Sequence, residues 1–465
     1  MAELVLGPML RRVDGDTALI WAQTDEPAVV SVIAGDVVAS APTVEVGGHH
    51  FALVALEGLP VGSTAYQVRV DGVEVWPKPG LPPSVISIRG AGDADAVIAF
   101  GSCRRVGGDH APDALIAYAE RLLAGGAVPD LLIFLGDQIY ADHAQTFADY
   151  ARLYRTAWSP DEVRWLLSTV PTVMIFDDHE IADDWNSSAS WLADEEAKPG
   201  WAEHLAAGMS SYWVFQHAGN QLGTGLDDGP GGSAYRWSYS LTVGATRVIV
   251  LDNRAGRVLT PGARAMLAPQ DWEWFEAEAE RPSAHLVIAC SLPWLLAPMV
   301  HHGEGAWERI CDRWPRAEGI RRYFDLEHWA ALGDSFRDLT ALIRRLADGE
   351  RSVIVLGGDV HHSYVARTDL PRVVQVVCSG FRNRLDGPQR HLLRIGWWRP
   401  LGSLAGFVAR LVGAHPPELS WWATGRPWFG NAIGTLATSG RAAEIAIEGT
   451  EPSGGLFLVA RESVQ

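Results

Sequence analysis

The chain has 465 residues, of which 48% are hydrophobic and 20% are charged, a balance typical of a folded protein with a sizeable core. Its formal net charge of −18 argues against a general nucleic-acid or anionic-membrane surface, because such partners attract clustered lysine and arginine. It leaves room for a local basic pocket, or for bound cations that meet a phosphate group.

The cysteines and the first residues give an expectation about the compartment. No CxxC spacing occurs, so neither a disulfide framework nor a structural zinc site is indicated, and reduced thiols are expected. The start, MAELVLGPMLRR, has an apolar run too short for a signal-peptide core. No stretch reaches about 18 uninterrupted apolar residues. We therefore expect a cytoplasmic protein without a transmembrane helix. The cysteines are Cys103, Cys290, Cys311 and Cys378.

Residues 1–88 are expected to form a small β-sandwich. Short β-type runs such as TALIWAQT and TAYQVRVDG alternate with turn residues. The stretch LEGLPVGSTAYQVRV resembles the end of a fibronectin type III module, with Tyr66 as its corner tyrosine. The segment WPKPGLPPS that follows is typical of a linker.

Residues 96–465 are predicted to form a second, α/β domain. Apolar runs such as VIAF, LLIFL and TVMIF alternate with helical stretches, as in a sheet covered by helices on both faces. In the stretch DSFRDLTALIRRLADGE, one apolar face recurs at helical spacing and is expected to pack on the sheet. That face consists of Phe336, Leu339, Ile343 and Leu346.

A tryptophan-rich insert at about 381–430 interrupts this alternation. Its segment LLRIGWWRPLGSLAGFVARLVG has features of an interfacial helix. Pro400 and the internal glycines nevertheless favour a packed lid or a partner surface.

Polar residues follow nearly every predicted strand of the α/β domain. VIAF is followed by GSC, LLIFL by GDQIY, TVMIF by DDHE, one VIVL by DNR and a later VIVL by GGDVHHS. Ligands collect at the carboxyl ends of strands in open α/β sheets. Carboxylates, a thiol, a phenol and imidazoles that converge there would be costly to bury unless cations neutralised them. The pattern therefore predicts a metal site. Thiolate and phenolate favour a transition metal such as iron, whereas an oxygen-rich half suits calcium or magnesium, and zinc or manganese stay open.

These motifs, in this order, resemble the PhoD-like (alkaline phosphatase D) branch of the calcineurin-type metallophosphoesterases over most of residues 96–380. The resemblance implies a β-sandwich flanked by helices and a site with Fe³⁺ and Ca²⁺. It further implies that Asp137 bridges two ions. Relatives elsewhere in the superfamily have asparagine at the position of Asp178, so Asp177, Asp183 or Asp184 are candidates to share its role. The metal ligands that it implies are Cys103, Asp137, Tyr140 and His361 for one ion, and Asp178 and Asp359 for the second.

A two-metal site of this kind supplies hydroxide for in-line attack on phosphorus. His179 is the candidate to hold the phosphoryl oxygen or protonate the leaving oxygen, with Glu180 fixing its tautomer. Arg254 and Arg104 are candidates for phosphate contacts. The expected activity is hydrolysis of small phosphomonoesters or phosphodiesters.

Several alternative roles were weighed for single residues. A cysteine-phosphatase role for Cys103 would need an arginine six positions later, where Asp109 stands. His362 is expected to point away and satisfy a backbone group. Asp252 is either an outer residue of the site or a loop cap.

Other functional classes have less support in the sequence. P-loop, GxGxxG and GxSxG motifs are absent. A non-catalytic binding module that kept the fold, and a metal hydrolase of a non-phosphate ester, stay as alternatives.

Overall fold

The computed structural model describes residues 2–108, 110–229, 235–347 and 349–464, without the side chains of Asp312 and Pro315. Position 109, used above against a cysteine-phosphatase role, lies outside the described residues.

The first region is a pair of antiparallel sheets. In the described residues, one sheet has the order β1-β2-β6-β5, and the other has β4-β3-β7-β8 with β9 paired to β7. Alternate residues of β3 point into the core between the sheets, as expected for half-buried strands. The β-rich character is confirmed, whereas its fibronectin III character stays a prediction. The strands are β1 Leu4–Asp14, β2 Thr17–Thr24, β3 Val29–Ala34, β4 Val37–Pro42, β5 Val44–Val46, β6 His49–Leu56, β7 Gly62–Val70, β8 Val73–Trp76 and β9 Val85–Ile88.

Buried polar contacts fix this first region to the second. The Arg11 guanidinium donates to the carbonyls of Phe215 and Thr172, and the Trp21 indole donates to the Val214 carbonyl. The Tyr66 hydroxyl donates to the Ser168 carbonyl of the second region at 2.7 Å. Tyr66 thus joins the two regions instead of closing a corner within its own module.

The second region contains two seven-stranded sheets within the described chain. One has the order β12-β11-β10-β21-β22-β23 with β19 paired to β10, and the other has β13-β14-β15-β16-β18-β17-β20. The mixed α/β class is therefore confirmed. The strands are β10 Ala96–Arg104, β11 Leu131–Leu135, β12 Thr172–Ile175, β13 Tyr239–Val243, β14 Thr246–Leu251, β15 His285–Cys290, β16 Ser352–Gly357, β17 Tyr364–Thr368, β18 Val373–Val377, β19 Ser379–Arg382, β20 Trp421–Ala423, β21 Ala432–Ser439, β22 Ala442–Thr450 and β23 Leu456–Val464.

Helices cover these sheets. Phe336, Leu339 and Ile343 of α9 are buried against the second sheet, as their spacing predicted. A π-helical turn spans Trp213–His217, and a 3₁₀ turn spans Pro315–Ala317. The α-helices are α1 Ala114–Leu123, α2 Phe147–Trp158, α3 Asp161–Thr169, α4 Ala189–Glu196, α5 Trp201–Tyr212, α6 Pro269–Glu280, α7 Pro298–Arg313, α8 Glu318–Tyr323, α9 Gly333–Leu346, α10 Gln389–Ile395 and α11 Arg399–Leu411.

The tryptophan-rich insert forms α10, α11 and β20. Pro400 lies in the first turn of α11, where a missing N–H costs nothing. Gly402 and Gly406, two of the glycines that favoured packing over an interfacial helix, lie on the buried side of α11. Among the described residues, no helix is both long enough and apolar enough to cross a bilayer.

Candidate metal centre

The two sheets bring their strand ends together at one rim. β10, β11 and β12 run parallel in one sheet, and β14, β15 and β16 run parallel in the other, so the loops that follow them meet. Ligand atoms of Cys103, Asp137 and His361 lie within 4.8 Å of one another. Asp137 also belongs to a second group, whose ligand atoms likewise lie within 4.8 Å of one another; its other members are Asp177, Asp178 and Asp359.

Four of these residues have a left-handed backbone. Cys103, Asp137, Asp359 and His361 have φ of 54°, 55°, 63° and 51°. That conformation costs roughly 1–2 kcal/mol for each non-glycine residue and persists only where the surroundings enforce it. The loops are therefore held in shapes that turn these side chains toward one point.

Close approach of the loops requires glycine at two positions. Gly136 has φ of +95°, and a Cβ there would lie 2.6 Å from the Asp177 Cβ. A Cβ on Gly358 would lie 2.4 Å from the Ser102 Oγ. The glycines of GDQIY and GGDVHHS are thus needed for the rim to close.

Glu180 fixes the loops after β11 and β12. Its buried carboxylate accepts hydrogen bonds from the backbone N–H of Asp137, Gln138 and Asp177 at 2.7–3.0 Å. The expectation that Glu180 sets the tautomer of His179 is wrong, because its oxygens are already used by these backbone donors and by Gln216.

Cys103 and Tyr140 lie beside Asp137. The Cys103 Sγ is 3.3 Å from the Asp137 Oδ2, and the Tyr140 hydroxyl is 3.5 Å from the same oxygen. Burial, and then the neighbouring carboxylates, raise the pKa of Cys103 well above its ordinary value, and burial with Cys103 and Asp137 does the same to the pKa of Tyr140. Without a cation, both groups are neutral here.

Three buried aspartate oxygens of these ligand groups lack a hydrogen-bond donor in the described structure. They are Asp137 Oδ1, Asp177 Oδ2 and Asp178 Oδ1. Such atoms cost free energy unless something compensates them. Burial raises the pKa of Asp137, and the negative charges of Asp178 and Asp177 add to this although His179 opposes them. The donor set therefore fits metal ions: thiol, phenol and imidazole at one end, and carboxylates at the other.

His179 is oriented by Asp142, a residue that the sequence analysis did not consider. Its Nδ1 is 2.6 Å from the Asp142 Oδ1, and its ring centroid lies 4.2 Å from that of Tyr140. Burial opposes protonation, but Asp178, Asp137 and Asp142 raise the pKa of His179 to about 11. The imidazole is positioned at the edge of the centre.

The two arginines expected to contact phosphate are buried and form ion pairs with carboxylates of the protein. Arg104 is buried, and its guanidinium pairs with Asp113 at 2.9 Å and donates to the Ala157 carbonyl. Arg254 is also buried, and it donates to Asp177 and Glu327. Among the described residues, the Arg254 Nη2 has no hydrogen-bond partner and lies 3.6 Å from the Asp178 Oδ1. The phosphate contacts of both arginines therefore stay predictions.

Two side chains that the sequence analysis missed complete the centre. Asn383 donates to the Tyr140 hydroxyl at 2.6 Å, and its amide nitrogen lies 3.1 Å from the His361 Nε2. His328 Nε2 lies 3.3 Å from the Asp359 Oδ2. Asn383 directly follows β19, which runs parallel to β10, so the strand-end pattern would have indicated it if the short β19 had been recognised. His328 follows no strand, so the strand-end pattern could not indicate it. A histidine between glutamate and tryptophan, in EHW, was the only local hint of His328.

The remaining predictions have clear positions. Asp252 accepts the backbone N–H of Arg254, Ala255 and Gly256, so of the two roles left open it is the loop cap. The Nδ1 of His362 hydrogen-bonds the Val360 carbonyl, as expected.

Comparison with known proteins supports the fold. The chain superposes on a solved structure of PhoD with a TM-score of 0.70 at 14% identity, over 99% of this chain and 90% of that chain, which shows a shared fold. A structure of GAP50, described as the anchor in the inner membrane complex of Plasmodium, superposes with a TM-score of only 0.41 at 9% identity, over 80% of this chain and 89% of that chain. No curated protein matches the chain.

Family models cover both regions. A domain of unknown function, DUF7800, matches residues 1–88. The PhoD-like phosphatase model matches residues 99–381, more than half of the chain. Together with the clustered ligand atoms, this match supports a metal-dependent phosphoesterase. The resemblance seen in the motifs is thus confirmed, and the chain belongs to the PhoD-like phosphatase family.

Proposed function

We propose that this chain hydrolyses phosphomonoesters or phosphodiesters at a two-metal centre. Cys103, Tyr140 and His361 would hold one ion together with Asp137, which would also be a ligand of the second ion. Asp178 and Asp359 would hold the second ion, with Asp177 beside them. The observation that carries the proposal is that two groups of ligand atoms, one with Cys103 and His361 and one with three further aspartates, share Asp137, with the atoms of each group within 4.8 Å of one another.

The donor chemistry favours iron at the Cys103 side and calcium at the carboxylate side. Thiolate and phenolate suit a transition metal, whereas an ion that takes only oxygen ligands suits the group of aspartates. A trivalent ion would also offset the cost of ionising the buried Cys103 and Tyr140.

When bound, such ions lower the pKa of a coordinated water and stabilise charge on the phosphoryl group. The chain's own contribution is orientation and proton transfer. His179, held by Asp142, protonates the leaving oxygen or donates a hydrogen bond to the phosphoryl group from its Nε2. Asn383 holds Tyr140 and His361 in place through its amide.

The test is hydrolysis of nitrophenyl phosphate and bis-nitrophenyl phosphate by purified protein. The protein is stripped with chelator and then reloaded with iron, calcium, zinc or manganese, singly and in pairs. Asp137→Asn is compared with Asp161→Asn, which changes a half-exposed carboxylate paired with Lys78 far from the rim.

Metal-dependent turnover that is lost in Asp137→Asn and kept in Asp161→Asn supports the proposal, and the best metal pair identifies the ions. A folded, reloaded protein without turnover on either ester would overturn it and favour a binding module or a non-phosphate substrate.

A further inference from the structure

Helix α11 presents large apolar side chains to solvent. Leu404, Phe407, Val408 and Leu411 are spaced i, i+3, i+4 and i+7, which places them on one face of the helix. Their exposed fractions lie between 48% and 71%. This is the spacing of a face that normally packs on a core, yet here it points away from the protein.

The opposite face of α11 is built from small residues and is already occupied. Gly402, Gly406 and Ala409 are buried where α11 packs along α7. A Cβ on Gly402 would lie 2.8 Å from the Pro298 Cβ, and one on Gly406 would lie 3.0 Å from the His302 Nε2. The helix therefore cannot turn its apolar face inward.

Helix α10 and its junction with α11 extend the exposed apolar surface. Leu392, Ile395 and Trp398 are each about half exposed or more. We call residues 389–411 the α10–α11 arm. Exposed tryptophan together with leucine and phenylalanine is typical of helices that lie in the boundary region of a membrane.

The arm is basic in a strongly acidic protein. It contains Arg390, Arg394, Arg399 and Arg410 and no aspartate or glutamate, whereas the whole chain has a net charge of −18. Arg390 pairs with Asp386, just before the arm, at 3.8 Å, whereas the ion pairs of the described residues include no carboxylate partner for Arg394, Arg399 or Arg410. A protein partner could cover an apolar face, but three arginines without a carboxylate partner suit a surface of dense negative charge.

We propose that the α10–α11 arm docks this protein on an anionic lipid bilayer, with α11 lying in the plane of the headgroups. The apolar face enters the acyl boundary and the arginines meet lipid phosphates. The arm is 23 residues long and divided between two short helices, so it lies on the bilayer and does not span it.

The arm is also close to the metal centre along the chain. Asn383, which contacts Tyr140 and His361, precedes α10 by six residues. Six residues span at most about 20 Å. Docking through the arm therefore holds the centre near the lipid surface.

The test is co-sedimentation of the full chain with vesicles of phosphatidylcholine, with and without phosphatidylglycerol, at low and high salt. One variant removes the apolar face (Leu404→Gln, Phe407→Gln and Leu411→Gln), and another removes charge (Arg399→Gln and Arg410→Gln). Matched controls change exposed residues elsewhere: Val38→Gln with Val61→Gln, and Arg441→Gln with Arg461→Gln.

The wild type should bind the phosphatidylglycerol vesicles and release them at high salt. Each arginine near an anionic surface strengthens binding by about fivefold. The charge variant, which lacks two arginines, should therefore partition to the anionic vesicles about 25-fold more weakly. The apolar variant should lose at least as much, and both controls should bind as the wild type does. Thermal unfolding shows whether each variant is folded.

Binding that is equal for neutral and anionic vesicles, or absent for the wild type, would overturn the proposal. So would self-association in size-exclusion chromatography that only the arm variants abolish, since a second copy would then cover the face. The composition and salt dependence of the wild type give an answer even if a variant does not fold. Because the readout is binding, the result is independent of whether the metal centre hydrolyses phosphoesters.

Discussion

The two sides of the rim compensate buried negative charge in different ways. On one side, Asp177 and Glu327 are paired with Arg254, and Arg257 adds a second guanidinium 2.7 Å from Glu327. On the other side, no ion pair among the described residues joins Cys103 or Asp137 to an arginine or a lysine. The Asp137 Oδ1 also has no hydrogen-bond donor in the described part of the chain. The first side is partly neutralised by the arginines of the protein itself, whereas the second side has no such partner and depends on bound cations. Stability should therefore depend on the first side and activity on the second.

Removing the positive charge of Arg254 should have the largest effect on stability. Arg254→Met leaves Asp177 and Glu327 buried without their main partner, so the free energy of unfolding should fall by about 3–5 kcal/mol. Urea denaturation measures this. Arg461→Met breaks an exposed pair with Glu444 and should cost no more than about 1 kcal/mol. Equal losses in the two variants would mean that the Arg254 side is not a structural element.

Removing the thiol should affect metal binding instead of stability. Loss of a residue that only supports a metal ligand typically lowers metal affinity or activity by about 10–100-fold. Cys103→Ser changes a proposed ligand itself, so metal affinity and turnover should fall by about 100-fold or more. Metal titration and turnover measure this. The matched control is Cys311→Ser, in α7 and away from the rim. If both variants kept wild-type metal affinity, Cys103 would be an ordinary buried thiol.

Removing the side chain that orients two ligands should have a smaller effect. Asn383→Ala frees the Tyr140 hydroxyl and the His361 imidazole, so metal affinity should fall by about 10–100-fold with little change in unfolding. Asn383→Gln, which keeps the amide but shifts it, should recover part of the loss. Wild-type affinity in Asn383→Ala would show that Tyr140 and His361 are held by the backbone alone.

The stability of the chelated protein should also depend on pH through Asp184, which lies near Glu327. Burial, and then Asp325 and Glu327, raise the pKa of Asp184 to about 8. Between about pH 4 and 8 the folded state holds a proton that the unfolded state has released, so the free energy of unfolding should fall as pH rises through this window. Asp184→Asn should reduce this fall in the free energy of unfolding. Urea midpoints measured at about pH 4 and at about pH 8 would show it.

Asp149 provides a control of opposite sign. Hydrogen bonds from Thr146 and nearby backbone groups lower its pKa to about 2. Its stabilising effect is present above about pH 4 and is lost only below that, so Asp149→Asn should shift both midpoints equally. An unchanged fall in Asp184→Asn would show that the proton is held elsewhere in the cluster.

The strand-end pattern anticipated the residues of the rim but not their partners. Asp137 and Asp359 could be found because each follows a buried strand directly, and the ends of neighbouring parallel strands meet. The pairing of Arg254 with Glu327 could not be predicted, because Glu327 is 73 residues away in the chain. An arginine in a strand-end loop has the same local sequence whether it faces a phosphate or a buried carboxylate.

The sequence by itself determined the family, the mixed α/β class and the kinds of ligand at the rim, because strand periodicity and strand-end polarity are local properties of the chain. Only the tertiary structure decided that Asn383 and His328 join the centre, that Asp142 and not Glu180 orients His179, and that α11 turns its apolar face outward. Each of these depends on which groups meet across the fold. For α11 the deciding fact is that its glycines, and not its leucines, fit against α7.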